Sequence, residues 1–149
     1  MAIKVGDRIP AATLKRLTPE GIKDVNTVEF FKGRKVALFA VPGAFTPTCS
    51  AKHLPGFVEK ADQIRAKGVS EIVCISVNDA FVMDSWGKDR KVGDKVTLLA
   101  DGNAEFSRAL GLDFDGSGFG MGIRAQRFSA LVEDGVVKSL HVEAPGKFE

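Results

Sequence analysis

The chain has 149 residues, of which 44% are hydrophobic and 27% charged, and its formal net charge is +2 at pH 7. This composition predicts a single domain over residues 1–149 with a sizeable buried core. The small charge lacks a basic block and gives no support to binding of nucleic acid or a membrane surface. No apolar run approaches the roughly 20 residues of a membrane span. With no signal peptide visible, we expect a cytoplasmic protein, although a removed transit peptide would leave no trace.

One buried strand is predicted early in the chain, after two shorter elements. Residues 13–17 could form a short strand, and residues 28–31 resemble a helical turn. Residues 36–41 form an unbroken apolar run, VALFAV, which is typical of a strand buried on both faces. The strand must stop there, because Pro42 and Gly43 follow and favour a turn.

A helix over residues 50–67 is predicted next, since apolar residues recur there at steps of three and four. Pro55 falls inside this segment and predicts a kink or a broken first turn. Gly68 is a suitable C-terminal stop.

Strands and helices then alternate in the second half of the chain. Strands are predicted at 71–77, 96–100, 127–133 and 136–142, and helices at 80–90 and 103–110. Asn78 or Asp79 can cap the first of these helices, and Asp101 can cap the second, which Gly111 ends. Residues 113–123 are predicted to be a Gly-rich loop, and Asp134-Gly135 indicates a hairpin. The order predicts an α/β fold, with a parallel core extended by an antiparallel hairpin.

Cys49 stands at the predicted junction between the strand ending at residue 41 and the helix from residue 50. Free amide groups and the positive end of a helix dipole favour a thiolate at such a position, and the thiolate is the reactive form. The alternative is an inert buried thiol. The two cysteines, Cys49 and Cys74, are too few for a disulfide scaffold, and with the two histidines they show no metal-ligand spacing.

The residues around Cys49 resemble the active-site pattern of peroxiredoxins, Pro42-x-x-x-Thr46-x-x-Cys49. The chain is similar to their type II, peroxiredoxin-5-like branch in the strings PGAFTPTCS, KHLPGF, CISVNDAFVMDSWGK, LLADGNAEF and RAQRFSALVEDG. The resemblance implies a thioredoxin-like fold with a central mixed β-sheet flanked by helices. It also implies a thiol-dependent peroxidase that reduces hydroperoxides through a sulfenic acid on Cys49. No cofactor is expected.

Three other residues are expected to serve this chemistry. Thr46 lies one helical turn before Cys49, and its hydroxyl can bond the thiolate or a peroxide oxygen, unless it serves as a turn or N-cap residue. Pro42, by resemblance, shields the site from water, and it also ends the strand. A thiolate needs a fixed cation, and an arginine can bond sulfur and oxygen together. The resemblance favours Arg127, with Arg124 as the alternative.

The remaining cysteine and the histidines have weaker functional interpretations. Cys74 lies in an apolar strand and is expected to be a small hydrophobic residue, the alternative being a resolving thiol. His53 lies four residues after Cys49, a spacing that suggests a Cys–His hydrolase pair, but we expect it to be a packing or surface residue. His141 has no motif around it. We therefore expect a one-cysteine mechanism with an external reductant, glutathione with glutaredoxin or thioredoxin. A redox sensor and an inert thioredoxin-like interaction domain are the rival hypotheses.

The resemblance also implies a homodimer. Its apolar anchors would be Phe45, Phe81, Val82 and Trp86, unless these residues fill the core of the monomer. Type II relatives usually continue beyond the last predicted strand into a final helix. The sequence ends at Glu149, so either the protein lacks this helix or the sequence is cut short before it.

Overall fold

The computed structural model describes residues 3–44, 54–92 and 95–142. The strands are β1 Thr13–Thr18, β2 Gly21–Asn26, β3 Lys35–Ala40, β4 Glu71–Ser76, β5 Thr97–Ala100, β6 Asp113–Asp115, β7 Ile123–Ala125, β8 Phe128–Glu133 and β9 Val136–Val142. The helices are α1 Thr27–Phe31, α2 Leu54–Glu59, α3 Ala61–Ala66, α4 Ala80–Asp89 and α5 Glu105–Leu110.

A seven-stranded mixed sheet forms the centre of the described structure, in the order β2-β1-β5-β4-β3-β8-β9. β4 runs parallel to both β3 and β5, whereas β8 is antiparallel to β3 and β1 is antiparallel to β5. Hairpins therefore extend the parallel core on both sides. The predicted α/β fold with a central mixed sheet is confirmed.

Two hydrophobic clusters cover the two faces of the sheet, because successive side chains of a strand point to opposite faces. Leu38 packs in one cluster with Phe31 and Phe106, which brings α1 and α5 onto that face. Phe39, the next residue, packs in the other cluster with Trp86 of α4 and stacks on the ring of Phe57 in α2 at 3.9 Å. Helices thus flank the sheet on both sides.

Three segments differ from the sequence-based expectation. β2 was not predicted, because its sequence GIKDVN offers only two apolar positions. The predicted loop over 113–123 instead contains β6 and the start of β7, which pair as a small antiparallel sheet. The predicted helix over 50–67 is interrupted at Lys60 rather than at Pro55, and its residues 50–53 lie outside the described residues. The Lys60 amide still donates to the Gly56 carbonyl, at 3.2 Å, so the interruption is slight.

Polar caps fix the ends of the helices at the carboxyl edge of the sheet. Asp79, not Asn78, caps α4, and its side chain accepts a hydrogen bond from the Val82 amide at 2.8 Å. Asp101 was predicted to cap α5, but the N-cap residue is Ala104, so that prediction was wrong in its position. Asp101, three residues earlier, still accepts hydrogen bonds from the first-turn amides of Phe106 and Ser107, at 3.1 and 2.8 Å. Both helices therefore begin at defined points beside the ends of β4 and β5.

Candidate functional site

The segment that leads to the predicted nucleophile leaves β3 at the carboxyl edge of the parallel core. Because β3, β4 and β5 are parallel, the segments that leave them emerge at the same edge. Pro42 is half-buried in the segment 41–44 that leaves β3. Cys49 and Thr46 lie outside the described residues, as do Phe45 and His53. Their roles therefore remain predictions.

Three hydrogen bonds hold the segment 41–44 in place. The Val41 amide donates to the Ile75 carbonyl at 3.1 Å and so continues the pairing of β3 with β4. The Ala44 amide donates to the side-chain oxygen of Asn78 at 2.9 Å. The carbonyl of Pro42 accepts from the guanidinium of Arg124 at 3.3 Å. The chain is therefore fixed from two sides over the first residues of the predicted catalytic motif, ahead of Thr46 and Cys49.

Arg127 lies at the same edge of the sheet. It directly precedes β8, whose first residue, Phe128, pairs with Ala40 at the end of β3. Arg127 is therefore adjacent to the point where the segment 41–44 begins. Its side chain is buried, with 8% exposure, and burial strengthens the field of a charge because less water screens it. This placement supports the predicted cationic role of Arg127 without testing it.

Arg124 connects the small hairpin to the same segment. It lies in β7, and besides Pro42 its guanidinium contacts the carbonyl of Met121, at 2.9 Å. The hairpin β6–β7, which contains the Gly-rich sequence, is thereby fastened beside the predicted active-site segment. Sequence reasoning missed this link. The Pro42 contact spans 82 positions and has no local sequence signal.

Cys74 and His141 occupy other places. Cys74 is fully buried in β4, between Phe39 of β3 and Leu98 of β5, which agrees with a small hydrophobic residue in the core. His141 lies on the edge strand β9, two strands away from β3. Among the described residues, no group of three His, Cys, Asp or Glu side chains could hold a metal ion.

Asp101 is the buried carboxyl group of this edge. Its burial raises its pKa above the usual value, an effect opposed by the hydrogen bonds that it accepts from Ser107 and Phe106. The Asp101 amide donates to the Ser76 carbonyl at 2.9 Å and so fastens the segment after β5 to the end of β4. Asp101 therefore serves the framework beneath the site.

Comparisons with known proteins identify the family. Residues 4–148 match the Redoxin family model. The chain belongs to the redoxin family. It is 51% identical over 151 residues to "Peroxiredoxin-2E, chloroplastic" of Arabidopsis thaliana, and the match covers 99% of this chain and 64% of that protein. Reduced Prx3 of Vibrio vulnificus in complex with H2O2 superposes with a TM-score of 0.95 at 52% identity, covering 99% of this chain and 92% of that one. Peroxiredoxin 5 of Alvinella pompejana gives a TM-score of 0.86 at 38% identity, over 95% and 90% of the two chains.

These relatives place the chain among the type II peroxiredoxins, so the resemblance of its motifs is confirmed. The thioredoxin-like fold is confirmed with it. The chain spans just under two thirds of the length of the Arabidopsis relative. In the described part of the chain, no helix is both long and apolar enough to cross a membrane.

Proposed function

We propose that this peroxiredoxin is a thiol peroxidase whose nucleophile is Cys49. The observation that carries the proposal is that the motif Pro42-x-x-x-Thr46-x-x-Cys49 follows β3 at the edge where Arg127 lies buried and Arg124 contacts Pro42. A fixed positive charge near this edge would stabilise a thiolate presented there. Membership of the redoxin family supports the same chemistry.

In the proposed reaction, the Cys49 thiolate attacks the distal oxygen of a hydroperoxide. A sulfur–oxygen bond forms while the oxygen–oxygen bond breaks, which leaves a sulfenic acid and an alkoxide or hydroxide that takes up a proton. Arg127 stabilises the charge that moves from sulfur to the leaving oxygen, since a preorganised cation needs no rearrangement. Thr46 bonds the peroxide, and Pro42 keeps water away. Hydrogen peroxide, with which the Vibrio vulnificus Prx3 forms a complex, is one expected substrate, and alkyl hydroperoxides are the others.

The sulfenic acid is then reduced by an external thiol. Cys74 is a poor candidate for a resolving residue because it is fully buried in the central strand β4, which pairs with β3 and β5 on its two sides. The reductant proposed is glutathione with glutaredoxin, or alternatively thioredoxin.

A turnover assay with defined reductants tests this proposal. Hydrogen peroxide consumption is followed with glutathione, glutaredoxin and glutathione reductase, and separately with thioredoxin and thioredoxin reductase. We expect sustained turnover with at least one system and none for Cys49→Ser, because serine supplies no anion at neutral pH. One rapid equivalent of consumption without turnover would favour the redox sensor. No reaction at all would favour the interaction domain and refute the peroxidase.

A homodimer is also proposed, with α4 contributing to its surface. Phe81 is 58% exposed and Val82 is half-buried, so both are available for an apolar contact. Exposure of the aromatic ring of Phe81 to water is unfavourable, and a symmetric contact between two subunits would bury it. Trp86, by contrast, is fully buried in the monomer core, so its prediction as an interface anchor was wrong. Trp86 lies on the side of α4 that packs against the sheet, and there it belongs to the same hydrophobic cluster as Phe39, Met83 and Val41.

The cytoplasm is the proposed location, with neither nucleic acid nor membrane as a partner. The Arabidopsis relative is named chloroplastic, which makes an organelle the alternative. Immunodetection in fractionated cells of the source organism distinguishes the two locations.

A further inference from the structure

We infer that Asn78 is a positioning residue for the nucleophile: its carboxamide holds the segment 41–44, which leads along the chain to Cys49. This inference rests on the proposed function, since Cys49 must be the reacting residue. A row of hydrogen bonds along the carboxyl edge of the sheet supports this role.

The side-chain oxygen of Asn78 accepts two hydrogen bonds. One comes from the Ala44 amide at 2.9 Å, and the other comes from the Ser76 hydroxyl at 2.6 Å. Ser76 is fully buried, and its carbonyl accepts from the Asp101 amide at 2.9 Å. The segments that follow β3, β4 and β5 are therefore joined in one row, and Asn78 provides the side chain of this row that bonds the β3 segment.

Asn78 is free for this task because its neighbour caps the helix. Either Asn78 or Asp79 could have capped α4, and the structure gives that role to Asp79. The oxygen that receives the Ala44 amide is held in place by the hydroxyl of Ser76, which donates to it at 2.6 Å.

The bond matters because Ala44 is itself buried, with 8% exposure. Without the Asn78 oxygen, its amide would lose its partner in a place that water reaches poorly, and the segment would have to shift to find another. Ala44 precedes Thr46 by two residues and Cys49 by five. A shift there displaces the donors and the thiolate relative to each other, and misplacement by about 1 Å can cost roughly a hundredfold in rate.

The test measures the rate of peroxide attack from pH 4 to pH 9 by stopped flow under single-turnover conditions. This profile separates the pKa of the attacking thiol from the limiting rate of the fully ionised thiolate. Asn78→Ala is expected to lower the limiting rate by about tenfold or more and to raise the thiol pKa. Asn78→Asp retains an oxygen acceptor and should recover most of the limiting rate, while its added negative charge keeps the pKa raised.

Asn26→Ala is the matched control, because Asn26 also accepts an amide hydrogen bond, from Glu29 at 3.2 Å, but at the start of α1. It should lower thermal stability and change neither the limiting rate nor the thiol pKa. Should Asn78→Ala not fold, Asn78→Ser takes its place, because a serine hydroxyl is too short to span the same gap. An unchanged profile in the folded Asn78 variant, or an equal change in Asn26→Ala, would overturn the inference. A wild-type protein that does not react would overturn the proposed function with it.

Discussion

The two arginines near the active-site segment should have separable effects, because the structure assigns them different contacts. Arg127 is almost fully buried next to the end of β3. Arg124 is half-buried, and its guanidinium donates hydrogen bonds to the carbonyls of Met121 and Pro42. Replacing each by glutamine removes the charge and keeps a neutral donor. We expect Arg127→Gln to act mainly on the rate and Arg124→Gln mainly on the stability.

The magnitudes follow from those contacts. Loss of one preorganised donor to the reacting atoms costs about 3 kcal/mol in the barrier. At about 1.36 kcal/mol per factor of ten, this is on the order of a hundredfold in the rate for Arg127→Gln. Arg124→Gln loses hydrogen bonds to two backbone carbonyls, one of them long at 3.3 Å. We expect about 2 kcal/mol in the free energy of unfolding, after allowance for partial exposure, and less than about tenfold in rate.

Two measurements on each variant check this. The fluorescence of Trp86, the single tryptophan, should report oxidation, because it packs in one cluster with Val41 and Ala44. Its stopped-flow change with excess hydrogen peroxide gives the second-order rate constant, and urea unfolding gives the stability. If Arg124→Gln slowed the reaction as much as Arg127→Gln, or more, the assignment of the cation to Arg127 would be wrong.

Three further predictions concern assembly, the second cysteine and pH. Phe81→Asp should convert a dimer into a monomer in sedimentation at micromolar concentration, and a wild-type protein that is already monomeric would refute the proposed dimer. Cys74→Ser should retain most peroxidase turnover in the reductant assay, and its loss would show that Cys74 takes part in resolution. Burial raises the pKa of Asp101, so the folded state binds its proton more tightly than the unfolded state does. The free energy of unfolding should therefore fall as pH rises from 3.8 through that raised pKa, relative to Asp101→Asn in urea titrations; parallel pH profiles would contradict this.

Local patterns were sufficient for most of the sheet. The apolar runs at β3 and β4 predicted buried strands because such runs have few other places in a domain of this size, and Asp134-Gly135 predicted the β8–β9 hairpin through its turn geometry. Both residues have positive φ, 50° and 78°, as that turn requires. β2 and the hairpin β6–β7 were missed because short polar strands are stabilised by their partners rather than by their own pattern.

The candidate site divides in the same way. Cys49, Thr46 and Pro42 form a local motif, so the sequence alone could indicate them. The contacts of Asn78 with Ala44 and of Arg124 with Pro42 join segments 34 and 82 positions apart. From the sequence, Asn78 was predicted only as a helix cap, because capping depends on neighbouring residues. Its hydrogen bond to the segment after β3 could not be predicted, because it depends on the parallel strands bringing their ends together.

The central claim is that peroxide oxidises Cys49 and not Cys74, and trapping of the oxidised residue tests it most directly. The reduced protein is treated with one equivalent of hydrogen peroxide in the presence of dimedone, digested, and analysed by tandem mass spectrometry. We predict a dimedone adduct on the peptide that contains Cys49, absent in Cys49→Ser, and an unmodified thiol on the peptide that contains Cys74. An adduct on Cys74, a disulfide between the two cysteines, or no oxidation of Cys49 would contradict the claim.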